Sequence, residues 1–289
     1  MTSPPNSGFE RSDHVVIDDV HKSFQLKAGQ YITVDGRKTG EVTALAGVRL
    51  NIREGEFVAI VGPSGSGKSV LLDIIGGLTQ ASAGAVLIDG KRMTAPHPTT
   101  SYVFQSYALF PWRSALGNIE YTLEIRGVAK DERRRIARHY LKLFGLSAFE
   151  DRFPNELSGG MRQRIAIARA LASKPKVLLM DEPFAALDAQ TRDIMQAELL
   201  RVWSDIRTTV VFVTHSLEEA IYLADRVVVM TARPGRIKEV FEIDLPRPRD
   251  ADIRTSTEFN GYRQQMGEVL RDEVDRTQRK AALSADYAA

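Results

Sequence analysis

The chain has 289 residues, 43% hydrophobic and 26% charged, which is enough for one large domain or two small ones of ordinary globular composition. Its 39 basic and 37 acidic residues leave a net charge of +2, so no large nucleic-acid footprint, and no nucleic-acid partner, is expected. There is no cysteine, which excludes disulfides, thiolate metal sites and cysteine nucleophiles, and no run approaches the ~18 apolar residues of a bilayer-spanning helix.

Residues 1–12 read as a loose tail, whose Pro/Ser/Asn-rich start over 1–8 lacks the basic start and apolar stretch of a signal peptide. Work at a membrane is therefore expected from the cytoplasmic side, through a partner. Strand-like runs follow at 15–17, 31–34 and 42–45, the last two flanking Asp35-Gly36, a hairpin signal.

From residue 57 the pattern becomes α/β. The runs 57–61, 177–180 and 210–213 are short and continuously apolar, and each stops at polar residues. A helix is expected over 69–78. Such strands alternating with helices predict a mainly parallel sheet buried on both faces, with its ligand beyond the carboxyl ends of the strands. Between about 106 and 160 the apolar runs disappear, and Ile136, Ala137, Tyr140, Leu141 and Phe144 take helical spacing over 130–144. This predicts an inserted helical subdomain. Its Arg133-Arg134-Arg135 run reads as a solvated face balanced by Asp131 and Glu132. The main domain is expected over 13–245. Residues 246–289 read as an appendage whose Phe259, Tyr262, Met266, Val269, Leu270 and Val274 form one amphipathic helical stripe, with fraying from 281.

Gly62-Pro63-Ser64-Gly65-Ser66-Gly67-Lys68-Ser69 fits G-x-x-x-x-G-K-[ST] between an apolar run and a helix. Small residues let successive backbone N–H groups face one concavity, and the helix dipole adds positive potential. Lys68 can reach the β- and γ-phosphates, and the Ser69 hydroxyl can ligate Mg²⁺. An acidic pair at the end of a buried strand is costly without a cation or proton beside it. Asp181 therefore fits as the Mg²⁺-side carboxylate and Glu182 as the group that orients or deprotonates an attacking water.

At Leu157-Ser158-Gly159-Gly160-Met161-Arg162-Gln163 the chain resembles the signature motif of ATP-binding-cassette (ABC) ATPases, and other family elements follow in order over roughly 15–240. Gln105 resembles the Q-loop glutamine, a catalytic and metal-side group. Ala186-Leu187-Asp188 resembles the D-loop, and His215 the switch histidine that senses the γ-phosphate and assists Glu182. The resemblance implies a P-loop NTPase of ABC ATPase type, with an N-terminal antiparallel β subdomain and the inserted helical subdomain. It also implies an ATP site shared between two copies: residues 62–70 of one chain close against Ser158, Gly159 and Gly160 of the other, with Asp188 a further nucleotide-binding residue.

Ser158-Gly159-Gly160 stands before a helix expected over 161–172, an anion site in its own right. Ser216-Leu-Glu-Glu219, just after His215, reads as a capping box. Val70 stands where many relatives carry a second hydroxyl residue, which Ser69 makes dispensable. Phe24 sits at the family's adenine-stacking position, with Tyr31 a rival. Residues 102–113, 232–236 and 245–249 resemble the nitrate/sulfonate/taurine group of importers. That branch implies separate permease subunits and a periplasmic or lipid-anchored solute-binding protein. The aromatic segment Tyr107, Leu109, Phe110, Pro111, Trp112 reads as a partner surface beside Gln105. A soluble ABC ATPase acting on nucleic acid and a non-catalytic nucleotide-binding module are the competing readings.

Overall fold

The computed structural model describes residues 13–27, 31–34 and 37–286. The tail read at 1–12, the Asp35-Gly36 turn and the last three residues lie outside them.

The elements in chain order are β1 (Asp13–Gln25), β2 (Ile32–Val34), β3 (Arg37–Thr39), β4 (Glu41–Arg53), β5 (Phe57–Val61), α1 (Lys68–Ile75), β6 (Ala83–Ile88), β7 (Lys91–Arg92) and β8 (Thr100–Val103). Then come α2 (Ala115–Glu124), α3 (Lys130–Leu143), α4 (Gly159–Ala172), β9 (Val177–Asp181), α5 (Ala189–Ile206), β10 (Thr209–Val213), α6 (Leu217–Leu223), β11 (Arg226–Met230), β12 (Ile237–Glu242) and α7 (Thr257–Asp286). A six-stranded sheet has the order β12-β11-β5-β10-β9-β8, and a four-stranded sheet the order β4-β1-β6-β7. Every pairing in the larger sheet is parallel except that of edge strand β12.

The continuous apolar runs have the cause expected of them. All five residues of β5 and all five of β10 are buried, because the sheet is covered on both sides. Phe57, Ala59 and Val61 face a core shared with α2 to α7. Val58 and Ile60 face a second core shared with α1 and the antiparallel sheet. Trp203 of α5 anchors the first core, with its ring edge on Phe57 (5.5 Å between centroids) and its Nε1 donating to Thr208 O at 2.8 Å.

Several boundaries differ from the sequence reading. The strand expected at 42–45 extends to Arg53 and pairs with β1, whereas β2 pairs with β3 as a separate hairpin. Helix α1 starts at Lys68 and ends at Ile75, with Gly76 as its cap. Helix α4 begins at Gly159, so the signature glycines form its first turn under the Ser158 cap. The capping box is half formed. Ser216 Oγ accepts from Glu219 N at 3.3 Å, but the Ser216 N–H goes to Thr214 Oγ1 at 3.0 Å. Glu219 is turned inward, accepting from Thr214 Oγ1 at 2.6 Å and Gln196 Nε2 at 3.1 Å. Where fraying is expected from 281, α7 continues through Asp286.

The segment Leu245-Pro-Arg-Pro-Arg249 is a strap rather than a loose linker. Arg249 is buried and donates to the carbonyls of Ile221, Tyr222 and Ala224 at 2.7–3.1 Å, and to Ile243 O at 3.2 Å. These carbonyls include orphan acceptors at the end of α6, which a cation complements. Arg247 grips Asp225 (2.7 Å) and Leu223 O (2.8 Å) and lies over the Trp203 ring. Arg249→Met keeps the apolar stem but strands buried carbonyls. We expect a loss of about 2–4 kcal/mol in urea unfolding; a change below about 0.5 kcal/mol would show the clamp to be dispensable.

Candidate nucleotide-binding site

Register brings the site together. Val213 of β10 pairs with Ile60 of β5 on one side and Asp181 of β9 on the other. The segments leaving these strands therefore emerge at one sheet edge: the Gly/Ser loop, Glu182 and His215. Glu182 N–H donates back to Val213 O at 2.9 Å, and Glu182 holds φ 42, a left-handed conformation unusual for a non-glycine residue. A tight turn of this kind keeps the carboxylate at the sheet edge.

Gly67 caps α1 at φ 88, and a Cβ there would lie 2.7 Å from Leu45 Cδ2. Only glycine serves both constraints. Lys68 is buried, and its Nζ donates to Gly62 O (2.8 Å) and Pro63 O (3.2 Å). Burial pushes its pKa down, opposed by Glu182 and Asp181. Ser69 Oγ donates to Asp181 Oδ1 at 3.1 Å. Burial raises the Asp181 carboxyl above its usual range, the Ser69 bond pulls it back, and Glu182 adds to the rise. His215 Nδ1 lies 3.2 Å from Glu182 Oε2. The Glu182 carboxylate, His215, Lys68 and the Ser69–Asp181 pair thus share one edge.

A pocket of ≈ 350 Å³ opens there, lined by Phe24, Val42, Ala44, residues 64–70, Glu182 and Arg233. Phe24 is in it; Tyr31, 56% exposed, is not among its lining residues. The lining also omits Gly62, Pro63, Gln105, Asp181 and His215, as well as the signature group. Gln105 is exposed just past β8, its side chain without a hydrogen bond to the described residues. Ser158 is exposed and caps α4, accepting from Met161 N at 3.3 Å. Asp188 caps α5, accepting from Thr191 N at 3.0 Å, and that bond lowers its pKa. Gly159 packs near Tyr107 Oη and Gly160 near Thr191 Cγ2. The phosphate loop and Glu182 line this pocket, and the Ser158 turn that opens α4 does not.

Sequence reasoning missed Val42, Ala44 and Arg233 as pocket residues. Arg233 lies in the 232–236 segment that had stood out only as a mark of lineage.

A Gly/Ser phosphate loop, an acidic pair at the end of the next-but-one strand, a histidine beside it and a Ser-Gly-Gly turn opening a helix of the insertion are the marks of an ABC-type ATPase, and comparison with known proteins shows that the chain belongs to the ABC transporter ATP-binding family. The family model for ABC transporters matches residues 45–185. An uncharacterised ABC transporter ATP-binding protein of Methanocaldococcus jannaschii is 51% identical over 265 residues, 92% of this chain and 98% of the relative. A nitrate import ATP-binding protein of Synechocystis is 44% identical over 240 residues, 81% of this chain and 90% of its own length. Among solved structures, an ATP-binding cassette captured as a dimer in a post-hydrolysis state with ADP and Pi superposes with a TM-score of 0.68 at 34% identity. It covers 80% of this chain and all of its own. The chain binds and hydrolyses ATP as a member of this family.

Because burial raises the Asp181 pKa, the ionised carboxylate disfavours the folded state. That group's stabilising contribution is present at acid pH and lost as pH rises through the elevated value. Asp181→Asn should therefore melt higher than the parent chain at pH 7, with the gap closing as pH falls, while hydrolysis is lost. Equal melting temperatures at pH 7 would contradict this electrostatic reading.

Proposed function

We propose that the chain is the motor subunit of a solute importer, in which two copies close head to tail on two ATP molecules and drive a separate permease. The observation that carries this reading is the division of the site. The phosphate loop and Glu182 line one pocket, whereas Ser158, Gly159 and Gly160 at the start of α4 and Asp188 at the start of α5 do not. A second copy supplies what one chain's pocket lacks.

In this scheme Phe24 stacks on adenine and residues 62–70 cradle the phosphates through backbone N–H groups. Lys68 exchanges its carbonyl partners for β- and γ-phosphate oxygens. The donor set of Ser69 and Asp181 fits Mg²⁺, which takes one or two protein oxygens and completes its shell with phosphates and water; Gln105 stands on the same side. When bound, Mg²⁺ offsets phosphate charge. Glu182 orients the attacking water and accepts its proton, and His215, hydrogen-bonded to Glu182, holds that carboxylate in place.

Partner coupling is supported by the helical subdomain. The aromatic segment divides in two. Tyr107 and Leu109 pack against the core, and Phe110 is partly buried against Tyr121 at 4.5 Å. Trp112 is 71% exposed. Beside it an open groove of ≈ 1160 Å³ runs between Pro111 and the 147–156 segment, with Phe149 and Phe153 exposed nearby. An exposed aromatic beside a groove suits a short permease helix. No helix among the described residues is long and apolar enough to cross a membrane. We place the subunit at the cytoplasmic face, bound to permease subunits that receive solute from a binding protein. The nitrate-import relative favours a small solute of the nitrate/sulfonate/taurine class.

The test is reconstitution with the permease. Lys68→Ala should lower both phosphate release and uptake by on the order of 10²-fold or more. Trp112→Ser should keep ATP affinity and melting temperature within twofold and a degree or two of the parent, yet lose most uptake. Parent-like uptake by Trp112→Ser would remove the docking role, and parent-like hydrolysis by Lys68→Ala would remove the site assignment.

A further inference from the structure

The loop between β11 and β12 touches the phosphate loop directly. Gly235 N–H donates to Ala44 O at 2.8 Å, and Ala46 N–H donates to Gly235 O at 3.0 Å. A Cβ on Gly235 would fall 1.9 Å from Ser66 O, so this backbone lies flat against the P-loop. Inside the loop, Thr231 Oγ1 donates to Pro234 O (3.1 Å) and accepts from Arg236 N (3.0 Å). From behind, the loop is held by the appendage helix α7. The buried Glu273 accepts from Ala232 N at 3.2 Å through one oxygen and pairs with Lys238 Nζ at 2.9 Å through the other.

Of this loop's two arginines, Arg233 and Arg236, the first lines the same pocket as Phe24, Lys68 and Glu182. Its Nη2 lies 3.7 Å from where a Cβ on Gly65 would stand. Its guanidinium makes no hydrogen bond or ion pair among the described residues, although Glu182 lines the same pocket. The charged groups of the phosphate loop and the strand ends beside it are engaged: Lys68 with carbonyls, Asp181 with Ser69, and Glu182 with His215. A guanidinium offers a planar fork of N–H donors matched to phosphate oxygens. Its place beside Gly65 of the phosphate loop favours the phosphates over the base.

We propose that Arg233 binds the polyphosphate of the nucleotide held by its own chain, and that α7 sets its position through Glu273. This makes the C-terminal appendage part of the nucleotide site. The inference rests on the P-loop pocket being that site.

Equilibrium binding of ATP, ADP and adenosine to the full chain tests it, with Lys68→Ala as the control for the pocket itself. Arg233→Ala should weaken ATP about fivefold and Arg233→Glu about tenfold or more, the range of one exposed charge-assisted contact. Adenosine binding should be unchanged, and melting temperature should stay with the parent because the side chain is exposed. Glu273→Ala should weaken ATP as well, but add nothing in the Arg233→Ala background. Parent-like ATP affinity in Arg233→Glu, alongside a loss in Lys68→Ala, would overturn the proposal while leaving the pocket intact. Equal losses for adenosine and ATP would also overturn it, by moving the contact to the base. Additive losses in the Glu273–Arg233 pair would remove the role of α7.

Discussion

The site depends on the register of three parallel strands. Val213 lies level with Ile60 and Asp181, so whatever follows β5, β9 and β10 must meet at one edge. A slip of one residue would turn each side chain to the opposite face of the sheet. It would send Phe57 and Phe212 into the core that Val58 and Val211 now fill. Burial on both faces makes such a slip prohibitive. The same burial that fixes the cores therefore fixes the distance between the phosphate loop and the groups that act on it.

That arrangement has an electrostatic cost. Burial disfavours the charged forms of both Lys68 and Asp181. The lysine is held by loop carbonyls, and the aspartate by a serine hydroxyl. Neither partner is a full counter-charge. A polyphosphate accompanied by a divalent cation, as proposed, would supply both at once and tie the charge balance of the edge to ligand binding. The signature turn has the complementary character: Ser158 caps the first turn of α4 at an exposed N-terminus. It lies outside the pocket of its own chain, and the proposed head-to-tail pair brings these two half-sites together.

Much of this was legible in the sequence because it is local. The apolar run 57–61, the Gly/Ser turn and the helix after it obey short-range rules, and the structure differs there by only a few residues at the boundaries. That a buried strand ending in two acids needs a cation or a proton beside it was legible too, but the direct bond from Ser69 to Asp181 is a long-range contact that the sequence did not show. What escaped was long-range. Glu219 fits a capping box by spacing, yet Thr214 and Gln196 compete for its carboxylate and win, because the group is buried and both can donate to it. The Leu245-Pro-Arg-Pro-Arg249 segment carries no periodicity, and its function as a strap depends on carbonyls some 25 residues earlier. Arg233 reaches the pocket from a loop whose Gly235 bridges to Leu45 of β4, 190 residues earlier in the chain. Tyr107 to Trp112 looked like one aromatic patch, but the helical subdomain takes up its first half and leaves Trp112 outside.

The central claim is that one nucleotide is held by two chains, and Glu182→Gln addresses it most directly. The amide keeps the shape of Glu182 but cannot take a proton from water, so ATP should bind and persist. By analytical ultracentrifugation, this variant should run at twice the chain mass in Mg²⁺-ATP and at the single-chain mass without nucleotide. Adding Ser158→Arg should return it to the single-chain mass while leaving ATP bound. Stoichiometric ATP binding at the single-chain mass, with or without the permease, would contradict a shared site.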